Sequence, residues 1–291
     1  MRILLFGKNG QLGWELQRAL ACLGNVIAYD FPEVDFTKPE SLRPIIGQVE
    51  PALIINAAAY TDVDKAESEP EKARLINAKS VGILAEESLH RKIPLIHYST
   101  DYVFDGTKDI PYTEEDASNP INVYGQTKLE GEKAISQVGG AYWIFRTSWV
   151  YSLRKGGFVN KVLEWSREQP IVRIVDDQIG SPTWARLLAE FTTQLVSGYR
   201  DNPYIYIRKY SGVYHVAGDG FCSRYDWAKA ILEFYPDSKS QFINKITPCK
   251  SDEFPSPAIR PAFTALDCGN IKHTFGLSLP AWKDGLNLCI A

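Results

Sequence analysis

A tyrosine and a lysine, Tyr124 and Lys128, stand one helical turn apart in NVYGQTKLEGEK, residues 122–133. A phenol titrates at about 10 in isolation, so it is a reluctant acid or base at neutral pH. A lysine ammonium on the same helix face favours the phenolate and moves the donor toward a useful range. The same ammonium can hold a nicotinamide ribose, which makes the pair suited to hydride transfer to a ketone. Spacing alone does not select it, because Tyr151–Lys155, Tyr225–Lys229 and Tyr235–Lys239 repeat the pattern. Only the first pair comes after a strand pattern that ends in adjacent hydroxyls, Ser99 and Thr100 of HYSTDYVFDG. Ligands sit at the carboxyl ends of strands in open α/β sheets, so context chooses Tyr124 and Lys128. Thr100 would polarise the carbonyl while Tyr124 delivers the proton.

A second chemical signal lies at the N-terminus. RILLFG leads into GKNGQLGWEL, with Gly7, Gly10 and Gly13 spaced GxxGxxG ahead of a helix pattern. Glycines there let a backbone approach a pyrophosphate whose charge the helix N-terminus stabilises. A tight turn with close helix packing would use the same residues. Asp30 closes the next strand pattern, where a carboxylate accepts hydrogen bonds from an adenosine ribose and favours NAD. Lys8 pulls the other way, since it could offset a 2′-phosphate, so NADH and NADPH both stay open. Asp35 and Phe36 could flank the adenine or only solvate a loop. The small side chains of NAAAYT (56–61), Ala58 and Ala59 among them, let a flat cofactor lie against the backbone.

Further along, Trp149 of TSWVY could stack on the apolar face of a deoxysugar or pack in the core. Asp177, Gln178 and Thr183 in DDQIGSPT could read a nucleotide or merely build a turn. Arg260 in AIRPAF could pair with a diphosphate, whose oxygens match a guanidinium fork, or form a surface salt bridge.

The elements that must position these groups are legible as alternating strands and helices. RILLFG (2–7), NVIAYD (25–30), ALIINAAA (52–59), IPLIHYST (93–100) and YWIFRTSWVY (142–151) are continuous apolar runs. Such runs mark parallel strands buried on both faces. Residues 11–24 and 68–92 read as helices between them, the second with Ser68 as its cap and Pro70 in its first turn. The alternation predicts an α/β fold, a doubly wound, Rossmann-like parallel sheet over residues 1–150. Residues 151–291 predict a smaller C-terminal substrate lobe interleaved with further core elements. Helices are expected there over 183–198 and 223–235, a strand over 212–218, and an extended wrap over 248–263.

Composition bounds the partners. The chain has 291 residues, 45% hydrophobic and 23% charged, as in soluble globular proteins. A net charge of −3 leaves no basic field for nucleic acid or an anionic membrane surface. Cys22, Cys222, Cys249, Cys268 and Cys289 form neither a disulfide framework nor a zinc site and fit a reducing, cytoplasmic setting. His90, His97, His215 and His273 lack ligand spacing and read as structural, so no metal site is expected. No run reaches the roughly twenty apolar residues of a membrane span, and MRILLF opens a strand rather than a signal peptide.

Taken together, Gly7–Gly13, Thr100 and Tyr124–Lys128 resemble the extended short-chain dehydrogenase/reductase superfamily. ILLFGKNGQLGWELQ, NAAAYTDVDKAESEP, HYSTDYVFDG, NVYGQTKLEGEK, FRTSWVY and VDDQIGSPT carry the resemblance through nearly the whole chain to its dTDP-deoxysugar reductases. The resemblance implies reduction of the C4 ketone of dTDP-4-dehydro-L-rhamnose by NADPH or NADH, a step toward dTDP-rhamnose and lipopolysaccharide O-antigen. It implies Thr100, Tyr124 and Lys128 as the catalytic set. Gly10, Gln11, Leu12, Asp30, Asp35, Phe36, Ala59, Tyr60 and Thr61 would meet the cofactor, and Thr100, Asp101, Val103, Phe104 and Trp149 the sugar. Some bacterial members pair through Mg²⁺ held by carboxylates at a dimer interface. Glu15 matches one of these, but Arg186 stands where another belongs, and the sequence ends at Ala291 before a C-terminal glutamate would appear. A hard cation wants several oxygens, so a monomer or weak homodimer without a Mg²⁺ bridge is expected.

Two other readings keep the fold. A nucleotide-sugar epimerase or dehydratase would recycle tightly held NAD, but dehydratases carry a glutamate after the threonine-linked aspartate, where Asp101 is succeeded here by Tyr102 and Val103. A non-catalytic regulatory subunit of the methionine adenosyltransferase type would not require the Thr100–Tyr124–Lys128 set.

Overall fold

The computed structural model describes residues 1–154, 156–198, 202–236 and 241–290. Lys155 and Lys239, which complete two of the alternative tyrosine–lysine pairs, lie outside the described residues.

The N-terminal half runs β1 (Arg2–Phe6), α1 (Gln11–Ala19), β2 (Asn25–Tyr29), α2 (Leu42–Val49) and β3 (Leu53–Asn56). It continues through α3 (Val63–Ser68), α4 (Pro70–Arg74), α5 (Ser80–Arg91), β4 (Leu95–Thr100), α6 (Val123–Val138) and β5 (Tyr142–Thr147). Then come β6 (Val150–Tyr151), α7 (Phe158–Glu168), β7 (Ile171–Val175), β8 (Ile179–Gly180), β9 (Thr183–Trp184), α8 (Ala185–Ser197) and α9 (Pro203–Lys209). The last elements are β10 (Gly212–His215), β11 (Cys222–Ser223), α10 (Arg224–Phe234), β12 (Lys245–Cys249), α11 (Gly269–Phe275) and α12 (Trp282–Ile290).

Six strands pair in the order β10-β5-β4-β3-β1-β2, every pair parallel. The chain winds outward in one direction from β1 to β2 and in the other from β3 to β10. The order therefore reverses between β1 and β3, the switch point at which open α/β sheets bind ligands. The apolar runs are continuous because both faces are covered. Leu5, Trp143 and Phe145 pack with Leu16 of α1 and Leu188 of α8 on one face. Leu4, Phe6 and Ile144 pack with Ile46 of α2 and Leu84 of α5 on the other. A separate cluster around Trp227, Val162 and Leu286 holds α7, α10 and α12 against the short pair β7–β12.

Several boundaries differ from the expectation: the helix read over 11–24 ends at Ala19, the strand over 212–218 ends at His215, and two further segments are broken. The helix read over 68–92 breaks at Glu69, and Ser68 ends α3 instead of capping the next helix. Its hydroxyl donates back to the Lys65 carbonyl, while Asp62 caps α3 through the Lys65 amide at 3.2 Å. Pro70, which has no amide to donate, opens α4. The run at 142–151 is also two strands. Trp149 adopts a left-handed φ of 43° between β5 and β6, a costly conformation for a bulky residue and one that concentrates at functional sites.

Candidate active site

The glycine loop lies over the switch point. Gly7 leaves β1 with a φ of 89°, and its amide donates to the Tyr29 carbonyl at the end of β2. Gly13 does not face the cleft. A Cβ there would stand 1.9 Å from the Gly7 carbonyl oxygen, so this glycine brings α1 hard against the loop. Gly10 precedes α1 without a side-chain cap, which leaves the first amides of a 9-residue helix available to an anion.

From this loop a cleft of about 1060 Å³ runs along the carboxyl ends of β1, β3, β4 and β5. Gly7, Gly10, Gln11 and Leu12 line one end with Asp30, Asp35 and Phe36. Ala58, Ala59 and Thr61 line the middle, and Thr100, Asp101, Tyr124, Lys128 and Trp149 the other end. Asp30 accepts the Asn9 amide at 2.8 Å, and Thr37 donates to Asp35, holding its carboxyl below the usual carboxylate range. Lys8 is drawn to Glu33 at 2.5 Å.

Tyr124 reaches the cleft from the first turn of α6. Asn122 caps that helix by accepting the Gly125 amide at 2.8 Å, and Glu67 accepts the Val123 amide at 2.9 Å. Gly125 is required: a Cβ would lie 2.1 Å from the Tyr102 carbonyl oxygen, so only glycine lets α6 approach the end of β4 this closely. Burial pushes the half-buried Tyr124 phenol above its ordinary range. Thr100 accepts the Tyr102 amide at 3.1 Å and donates to Asp101 at the same distance. Asp101 is 2% exposed and also accepts from Ser148 at 2.8 Å and Thr264 at 2.5 Å; burial raises its pKa.

Lys128 is anchored to the sheet. It shares a helix face with Tyr124, but its amine runs inward, 2.6 Å from the Tyr98 carbonyl and 3.2 Å from His97 Nε2. Burial, opposed by the charge of Glu132, pushes it down to about 8. Lys128 thus lines the cleft with Tyr124 while its nitrogen is held against β4. One turn on, Glu132 accepts Arg146 at 2.7 Å and the Ser99 hydroxyl, locking α6 to β4 and β5.

Other sequence-selected residues fall elsewhere. Val103 and Phe104 are fully buried, and Phe104 stacks on Tyr112 at 4.2 Å. They form core, and neither is among the residues lining the cleft. Tyr60 turns out of the cleft to donate to Glu69 at 2.9 Å. Asp177 and Gln178 are tied to Ser251, and buried Thr183 donates to the Ser181 carbonyl. Arg260 pairs with Asp64 at 2.7 Å. Arg186 pairs with Glu190 at 2.8 Å, and Glu15 lies near enough for its charge to act on the guanidinium.

Arg224 and the Asn56–His97 pair escaped sequence reading because no spacing links them to the motifs. Arg224 lies 3.6 Å over the Trp149 ring and 5.4 Å from that of Trp227, which stacks on Trp149. Arg224, Trp227 and the Gly180 backbone thus pack against one indole, and Trp149 is among the residues lining the cleft.

A family model described as the RmlD substrate binding domain matches residues 1–291. The dTDP-4-dehydrorhamnose reductase of Escherichia coli K12 is 42% identical, over 98% of this chain and 96% of its own. A dTDP-4-dehydrorhamnose reductase structure from Clostridium acetobutylicum superposes with a TM-score of 0.90 at 34% identity, covering 100% of this chain and 98% of its own. One from Bacillus anthracis, in complex with NADP, gives 0.88 at 31%, with 99% and 98% covered. A glycine loop at the switch point and a threonine, tyrosine and lysine around one cleft are thus joined to likeness over the full length, and the chain belongs to the dTDP-4-dehydrorhamnose reductase family.

Proposed function

We propose that the protein reduces the C4 ketone of dTDP-4-dehydro-L-rhamnose to dTDP-L-rhamnose with NADPH or NADH, Tyr124 giving the proton. The observation that carries this reading is that Thr100, Tyr124 and Lys128 share one cleft with the glycine loop. The free amides at the start of α1 suit a pyrophosphate, and Asp30, oriented by the Asn9 amide, suits ribose hydroxyls. Bound reduced nicotinamide would supply the hydride. Thr100 holds the carbonyl oxygen, and the Tyr124 hydroxyl delivers its proton to that oxygen as the alcohol forms. Lys128 holds the nicotinamide ribose from the floor of the cleft. Trp149, which lines the cleft, takes the apolar face of the sugar. Arg224, with no carboxylate ion pair among the described residues, is the guanidinium suited to the diphosphate, since Arg260 is committed to Asp64.

Tyr124→Phe tests the assignment. It should lower kcat roughly 100-fold or more while leaving the Kd for NADPH within about twofold. Near-normal turnover would assign the proton to another group.

A further inference from the structure

Asn56 and His97 are paired residues of the adjacent strands β3 and β4, and both are fully buried. Their side chains form a chain that ends on Lys128. Asn56 Nδ2 is 3.0 Å from His97 Nδ1, and His97 Nε2 is 3.2 Å from Lys128 Nζ. The direction of this chain is set by a main-chain group. The Ala58 N–H donates to Asn56 Oδ1 at 3.1 Å, and a backbone amide can only donate. The Asn56 oxygen must therefore face Ala58, which turns its NH₂ toward His97. A ring nitrogen facing an NH₂ must accept, so the single proton of neutral His97 sits on Nε2.

That N–H points at Lys128 Nζ. A neutral amine has a lone pair for it and still donates to the Tyr98 carbonyl at 2.6 Å. An ammonium has only donors, and two donors would then face each other in a site from which water is excluded. To receive an ammonium, His97 would have to move its proton to Nδ1, Asn56 would have to flip, and the Ala58 amide would lose its acceptor. We propose that His97 and Asn56 are positioning residues which, by fixing the Nε2–H tautomer, present a hydrogen-bond donor to Lys128 and favour the neutral amine in the ligand-free enzyme. Any protonation of Lys128 is thereby coupled to the Asn56–Ala58 segment, and Ala58 lines the cofactor cleft.

The other charged and titratable groups around Lys128 do not supply this preference. Tyr124 and Glu132 lie one turn to either side on α6, and the Glu132 carboxylate, occupied by Arg146 and Ser99, favours the ammonium. The Tyr98 phenol on β4 points away to Thr192 at 2.7 Å. Burial works in the same direction as His97, pushing the amine down.

The inference concerns protons alone and holds whatever the substrate proves to be. Nitrogen-15 spectra of the ligand-free wild-type protein, assigned through bonds and taken at about pH 9, above the Lys128 value of about 8, should find the His97 proton on Nε2; a proton on Nδ1, or an imidazolium, overturns the proposal. Asn56→Asp supplies an acceptor to both Ala58 and His97. It should move the His97 proton to Nδ1 and raise the Lys128 titration midpoint, read from the carbon-13 shift of its ε-carbon, by about one pH unit or more. A midpoint that stays put overturns the proposal. So does a rise without the tautomer switch, which would be the effect of added charge alone.

Discussion

Lys128 has two tasks that Tyr124 does not share. Its amine is joined to β4 by the Tyr98 carbonyl and His97, and it is the group on the cleft floor proposed to hold the nicotinamide ribose. Lys128→Met should therefore lower kcat and weaken NADPH binding together, each by about tenfold or more, in steady-state rates and fluorescence titration. A loss of kcat at unchanged cofactor affinity would remove the ribose task. Residue type and spacing selected Tyr124, Lys128 and Thr100 as candidates only together with the strand end that precedes them, since three other pairs share the spacing. Exposure was not legible in the same way. Val103 and Phe104 adjoin the motif in sequence yet are core, since one short turn reverses the direction in which side chains point. His97, which reads as structural by spacing, touches the amine of Lys128 only because β3, β4 and α6 pack together.

At the scale of elements, α6 is the part on which the site depends. Its first turn carries Tyr124, its second Lys128 and its third Glu132, and the Glu132–Arg146 pair is almost wholly buried. Removing one member of such a pair strands the other charge away from water. Arg146→Met should thus cost about 3–5 kcal/mol in urea unfolding and should loosen α6 from β5. A change within about 0.5 kcal/mol would mean the pair adds nothing to this junction. The strands of the N-terminal half were legible because sheets covered on both faces demand continuous apolar runs. The breaks were not: Trp149 and Glu69 interrupt patterns whose composition does not change, and each break is set by tertiary contacts and by a proline lacking an amide. The helices α2, α7, α9, α11 and α12 were not read from the sequence; α9 and α11 have only 7 residues each, too few for an apolar stripe to show.

For the whole molecule, the order of the parallel strands fixes where chemistry can occur. The glycine turn after β1, the alanines after β3, and Thr100 at the end of β4 converge because the strand order reverses between β1 and β3. The same covered sheet holds histidines in neutral form. His215 is fully buried and held down at about 3, and burial, with the charge of Lys128, holds His97 well below its ordinary value. Folded pKa values below the unfolded one mean that the unfolded chain binds more protons as pH falls. Stability is then full above about pH 6.5 and is lost steadily below it, by about 2 kcal/mol near pH 5 for His215 alone. Asp101 and Glu114, raised by burial, act in the opposite sense. The urea midpoint should fall between about pH 7 and about pH 5, and a flat midpoint would contradict this account of the histidines. The most direct test of function is the reduced-nicotinamide absorbance when purified protein meets NADPH and dTDP-4-dehydro-L-rhamnose. The account predicts one NADPH oxidised per dTDP-L-rhamnose formed. No oxidation with either NADPH or NADH, with NAD instead retained by the protein through gel filtration, would contradict it and favour an epimerase or dehydratase.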